Sequence, residues 1–113
     1  MSGPVLGRRA RGPAEPRLSV IWWRDIPTQV VAQHGTESVR AELPPRFAQA
    51  VDRAAMRAGL VGSDDYLLQW DRRTRPCGAD LAAEVDAELA ALDARYPSSA
   101  LTELVNNAPA GTP

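Results

Sequence analysis

His34 carries the only imidazole of this 113-residue chain and Cys77 its only thiol. An imidazole works as a general base when a carboxylate orients it and a nucleophile faces it. His34 sits in the turn pattern His34-Gly35-Thr36 with no identifiable partner of either kind, so a surface histidine is the simpler reading. Cys77 follows Arg72, Arg73 and Arg75, cations that would lower a thiol pKa and favour the reactive thiolate. The competing reading is a spectator thiol. One cysteine closes no intrachain disulfide and brings no companion at metal-ligand spacing. No glycine-rich phosphate loop or nucleophile elbow occurs. Asp86, Glu88 and Asp93 read as the solvated face of a helix. The expectation is therefore no catalytic residue, no metal and no cofactor.

Chemistry of recognition is better represented. In Val20-Ile21-Trp22-Trp23-Arg24-Asp25-Ile26-Pro27 two tryptophans stand side by side. Neighbours in an extended chain point to opposite faces. The fold should then consume one indole and leave the other for a partner, unless the strand is covered on both sides. Arg24 and Asp25 follow directly, and Arg53 and Met56 lie further along in Arg46–Leu60. Trp, Arg and Met supply large apolar area together with planar hydrogen bonding, which docking surfaces favour. Trp23, Arg24, Asp25, Arg53 and Met56 are the candidate binding patch. The alternative is that Arg24 or Arg53 pairs with Asp25 or Asp52 and merely pins a helix to the sheet.

The whole-chain balance narrows the partners. All thirteen basic residues are arginine, and the net charge is −1 with a pI near 5.8. The basic residues before Arg17 oppose an acidic second half, and no basic stripe marks the folded part, so nucleic acid is not expected. The N-terminus lacks the apolar core of a signal peptide, and no apolar run approaches membrane length. A soluble, cytoplasmic protein is expected, with another protein or a second copy as partner. Residues 1–16 and 97–113 read as disordered tails, rich in Gly and Pro and poor in apolar periodicity. That leaves 17–96 as a single domain, small enough for its core to be marginal.

Within it, Arg17–Arg24 reads as a β-branched and aromatic strand, interrupted by Pro27, and Gln29–Gln33 as a second. Ser38–Leu43 alternates as a half-buried third strand. Pro44-Pro45 opens a helix to about Ala58, with Phe47, Val51, Ala54, Ala55 and Ala58 on one side and Gly59 ending it. Ser63-Asp64-Asp65 predicts a short helix over Tyr66–Asp71, although the alternation of Tyr66, Leu68 and Trp70 leaves a strand as the alternative. Arg72–Gly78 reads as a loop. Asp80 caps a long helix carrying Leu81, Val85, Leu89, Leu92 and Tyr96. The expected fold is α+β: a three-stranded antiparallel sheet, four-stranded if Tyr66–Asp71 is extended, with two longer helices packed on one face.

Taken together, WWRDIP-x-QV, LPPRF-x-x-AVDRAAM-x-AGL and DDYLLQW resemble the small bacterial domain family named virulence factor, over about Leu18 to Arg72. The chain is similar to the domain of conserved virulence factor C proteins. The resemblance implies an accessory module working beside other proteins, with no established reaction and no functional residue to carry over. The alternative it suggests is a small accessory subunit of a one-carbon or corrinoid methyl-transfer system, Arg24 or Arg53 clamping a substrate carboxylate.

Overall fold

A computed structural model describes residues 13–107. The structured part begins with a meander: β1 (Arg17–Trp23), β2 (Ile26–His34) and β3 (Glu37–Glu42). Helix α1 (Pro45–Arg57), the one-turn α2 (Asp64–Leu68), strand β4 (Trp70–Pro76), α3 (Leu81–Arg95) and α4 (Ser98–Asn106) follow. The sheet is four-stranded and antiparallel in the order β3-β2-β1-β4. This is the α+β class, with the fourth strand placed later than Tyr66–Asp71.

Pro27 does not interrupt the second strand, which starts at Ile26 rather than Gln29. Proline cannot donate to a ladder and is tolerated within a sheet only at edges or bulges. The β1–β2 register shifts between Ile21 and Trp22, so that Ile21 faces Gln29 while Trp22 faces Pro27. Thr28 is the extra residue, and its hydroxyl donates to the Ile21 carbonyl at 2.9 Å. The bulge lets a central strand carry a proline. At the hairpin tip Arg24 and Asp25 form a two-residue connection, with Arg24 in the left-handed region at φ +53°.

The sequence between Arg72 and Gly78, read as a loop, is mostly strand. β4 pairs with β1 from Trp23–Trp70 to Arg17–Pro76. Every residue of β4 is exposed, so it has no buried apolar alternation to betray it. As an edge strand rich in arginine it is guarded against pairing with other chains. The short helix runs from Asp64 to Leu68 rather than over Tyr66–Asp71, and Trp70 and Asp71 belong to β4.

α1 and α3 follow their sequence signals. Phe47, Ala50, Val51, Ala54 and Ala55 form the buried stripe of α1. Its end is closed by Gly59 N–H to Met56 O and Leu60 N–H to Ala55 O, with Gly59 at φ +73° and Leu60 buried. Such a left-handed closing residue suits glycine. Asp80 accepts from Ala83 N–H at 3.2 Å and so caps α3. Arg46, at the start of α1, donates to the Tyr96 and Asp93 carbonyls and pairs with the Asp93 carboxylate. It fastens one helix start to the other helix end, where the orphan carbonyls carry partial negative charge.

The reading of 97–113 as a tail is corrected by α4, whose Leu101 and Val105 join the core and whose main neighbour is α1. The ordered unit therefore runs past residue 96. Of the expected N-terminal tail, residues 13–16 are tied down: Pro13 O accepts from Gly35 N–H and Pro16 O from Cys77 N–H. The rest of it, and residues 108–113, lie outside the described residues.

Candidate functional site

Trp22 and Trp23, adjacent in β1, are both buried in the one core cluster, at 8% and 0% exposure. The expectation that one indole stays on the surface is overturned, because Tyr96 and Arg73 cover Trp22 while Tyr66, with Ala54 and Leu104 close by, covers Trp23. Trp22 meets Tyr96 edge-on at 6.3 Å, and the Arg73 guanidinium lies over its ring. Its indole Nε1 is buried and meets no hydrogen-bond partner among the described residues. Trp23 packs against Tyr66 at 5.5 Å and donates from Nε1 to the Tyr66 carbonyl at 3.0 Å. Its role is to anchor α2.

The five candidate patch residues do not converge. Trp23, Arg24 and Asp25 share a cavity of about 70 Å³ with Ile26, Ala54, Leu104 and Asn107. Arg53, exposed on α1, is not among its walls. Met56 lies elsewhere, lining a groove of about 370 Å³ with Asp52, Ala55, Val61, Gly62 and Tyr66. Among the described residues neither Arg24 nor Arg53 forms an ion pair with Asp25 or Asp52 that would pin helix to sheet. Arg24 lies over Trp23, and it bonds Gln69 twice, from backbone N–H to O and from Nε to Oε1, each at 3.0 Å. The helix fastening is done by Arg46.

The tryptophan that reaches the surface is the third. Trp70 is 38% exposed and meets Tyr66 edge-on at 6.2 Å. A row of rings, Trp23–Tyr66–Trp70, thus runs from the core to solvent. Leu67 and Leu68, which follow Tyr66 in α2, are exposed, Leu68 at 75%, and with Trp70 make an aromatic–aliphatic ridge; Met56, 68% exposed, and Val61 line the groove that Tyr66 also walls. A five-residue helix buries none of its side chains, which leaves both leucines facing water. Large exposed apolar residues following one another along a short segment are informative where scattered ones are not. The signal was available in Tyr66-Leu67-Leu68-Gln69-Trp70: too many large apolar residues for one helical turn to hide.

Beside this ridge opens a cleft of about 730 Å³, between the start of α1, the ends of β2 and β3, and the rings of Tyr66 and Trp70. Thr28, Gln29, Glu42, Gln49 and Asp52 supply its polar groups.

Cys77 is half-buried, and burial pushes its thiol pKa up, helped by Glu84 and opposed by Arg75. The nearby arginines do not produce an activated thiolate. Among the described residues the His34 ring bonds the Ala14 carbonyl alone, at 3.1 Å. Among the described residues no group of His, Cys, Asp and Glu could hold a metal, and no helix is long and apolar enough to cross a membrane.

Fold and surface define a small α+β domain with an exposed aromatic–aliphatic ridge. The family model described as virulence factor matches residues 21–105, and the chain belongs to that family. The match runs beyond the DDYLLQW segment through α3 and into α4. Neither the curated proteins nor the solved structures gave a match.

Proposed function

We propose that this chain is a non-catalytic interaction module that docks another protein on the ridge of Met56, Val61, Leu67, Leu68 and Trp70. The observation that carries the reading is the exposure of Leu67 and Leu68 on a helix held in place by Trp23. An apolar ridge around a rigid aromatic suits the centre of an interface, where Trp and Met are enriched. Of the patch expected from the sequence, Met56 lies on this surface, and Trp23 and Arg24 support it through Tyr66 and Gln69.

A photo-crosslinking amino acid at position 68, in the full chain expressed in its native cell, tests this. One discrete adduct from position 68, absent from position 86 on α3 and lost on Met56→Glu, is the expected outcome. Equal labelling from both positions, or none from 68, rejects the docking reading. An adduct consisting of two copies of this chain makes self-association the function instead.

A further inference from the structure

Six aromatic side chains occur in the sequence, and four of them carry an arginine. Arg73 lies 4.4 Å from the Trp22 ring centre, Arg46 4.7 Å from Phe47, Arg24 5.2 Å from Trp23 and Arg95 5.4 Å from Tyr96. All fall within the range where a cation is held by the ring's negative face. The two rings with no such cation among the described residues are Tyr66 and Trp70, and these two line the 730 Å³ cleft. Two carboxylates, Glu42 and Asp52, line it with them. Neither forms an ion pair or hydrogen bond among the described residues, and no arginine is in the lining. In a chain with thirteen arginines, the cleft is the place where rings and acids meet without a cation.

Resting on the docking reading above, we infer that this cleft receives an arginine side chain of the partner protein. The guanidinium stacks on Trp70 or Tyr66 and pairs with Glu42 and Asp52, while apolar neighbours in the partner cover Leu67 and Leu68. Arginine is preferred to lysine because its planar, weakly hydrated head stacks on a ring while its edge donates to carboxylates. Gln29 and Gln49 in the same lining offer amide oxygens to the remaining N–H groups.

The test is a titration of the full chain with Nα-acetylarginine amide, followed by NMR at the Trp70 indole N–H, with Trp70→Phe used to assign that signal. Nα-acetylcitrulline amide, nearly the same shape without the charge, is the control. A saturable shift at Trp70 with arginine is expected, about tenfold weaker with citrulline, as loss of both charge-assisted bonds implies. The double variant Glu42→Gln/Asp52→Asn should weaken it about fivefold, the scale of two exposed ion pairs. Equal response to both amides, or no response at Trp70, overturns the assignment. So does a response that emerges only after Arg8, Arg9 and Arg11 are replaced by Gln, since the chain's own N-terminus is then the occupant. If the Leu68 cross-link survives in the double variant while arginine amide gives no shift, the cleft assignment fails alone. If arginine amide binds but the cross-link is missing, the docking reading fails and the cleft remains.

Discussion

At the scale of residues, the three tryptophans divide the labour between holding and presenting. Trp23 has no exposure and Trp70 has 38%, and their replacement should separate the two roles. Trp23→Ala opens a cavity under α2 and should cost about 3–5 kcal/mol by denaturant melting. Trp70→Ala removes one aromatic pair and should cost under about 1.5 kcal/mol, yet abolish the Leu68 cross-link; equal destabilisation by both would contradict the division. Arg24 shows a second kind of separation. Its backbone is left-handed at φ +53°, a conformation that costs a non-glycine residue of order 1–2 kcal/mol. Its side chain works against that cost by bonding Gln69 and covering Trp23. Arg24→Ala keeps the strain and loses the contacts, whereas Arg24→Gly loses both. Arg24→Gly should therefore be the more stable variant by about 1 kcal/mol, and the reverse order would show the turn to be unstrained. Cys77 makes the third case. Its pKa is raised by burial and by Glu84 more than Arg75 lowers it, so at any pH below the midpoint less thiolate is present than in a short cysteine peptide. Iodoacetamide should react more slowly with Cys77 at neutral pH, with the rate profile displaced upward in pH; Glu84→Gln should move it part of the way back. A faster rate than the peptide's would restore the redox-sensor reading that the arginine neighbours suggest.

At the scale of elements, what the sequence announces is what local physics decides. β1 is legible in its β-branched and aromatic run, α1 in Pro45 and the Phe47–Ala54 stripe, and α3 in its Asp80 cap, because each signal acts within a few residues. β4 is barely legible, because within Trp70–Pro76 only Trp70 and Thr74 favour a strand and no buried alternation marks it; pairing with β1 across some fifty positions creates it. Pro27 is misleading for the same reason, since the bulge that absorbs it needs Ile21 of another strand. Arg46 is half legible: the residue is visible, but its partners lie at the far end of α3. Its fork reaches two carbonyls and a carboxylate at once, which a lysine ammonium cannot match in geometry. Arg46→Lys should cost about 1–2 kcal/mol in a thermal or chemical melt even though the charge is kept. A loss near zero would mean that the α1–α3 junction is held by Phe47 and Tyr96 alone.

At the scale of the whole molecule, the decisive difference between sequence and structure is where the domain ends. The stretch after Pro97 is short and lies beside a Gly/Pro-rich terminus, so composition argues for a tail. Leu101, Leu104 and Val105 nevertheless sit at helical spacing, a stripe that a 3.6-residue period recognises once composition is set aside. Packing decides in favour of the helix. α4 lies on α1, the helix that walls both the cleft and the Met56 groove. Leu101 is almost wholly buried, and Val105 is the last residue of the family match. A domain of this size has little stability to spare, of order 5–15 kcal/mol in total, and Leu101→Ala alone should remove about 2–5 kcal/mol of it. A chain ending at Tyr96 loses Leu101, Leu104 and Val105 together and bares the α1 surface they cover. It should show no cooperative thermal transition by circular dichroism, and with α1 adrift the Leu68 cross-link should vanish as well. A cooperative melt within about 5 °C of the full chain, the shift expected from only about 1 kcal/mol, would mean that α4 is an appendage and that the domain does end where composition places it.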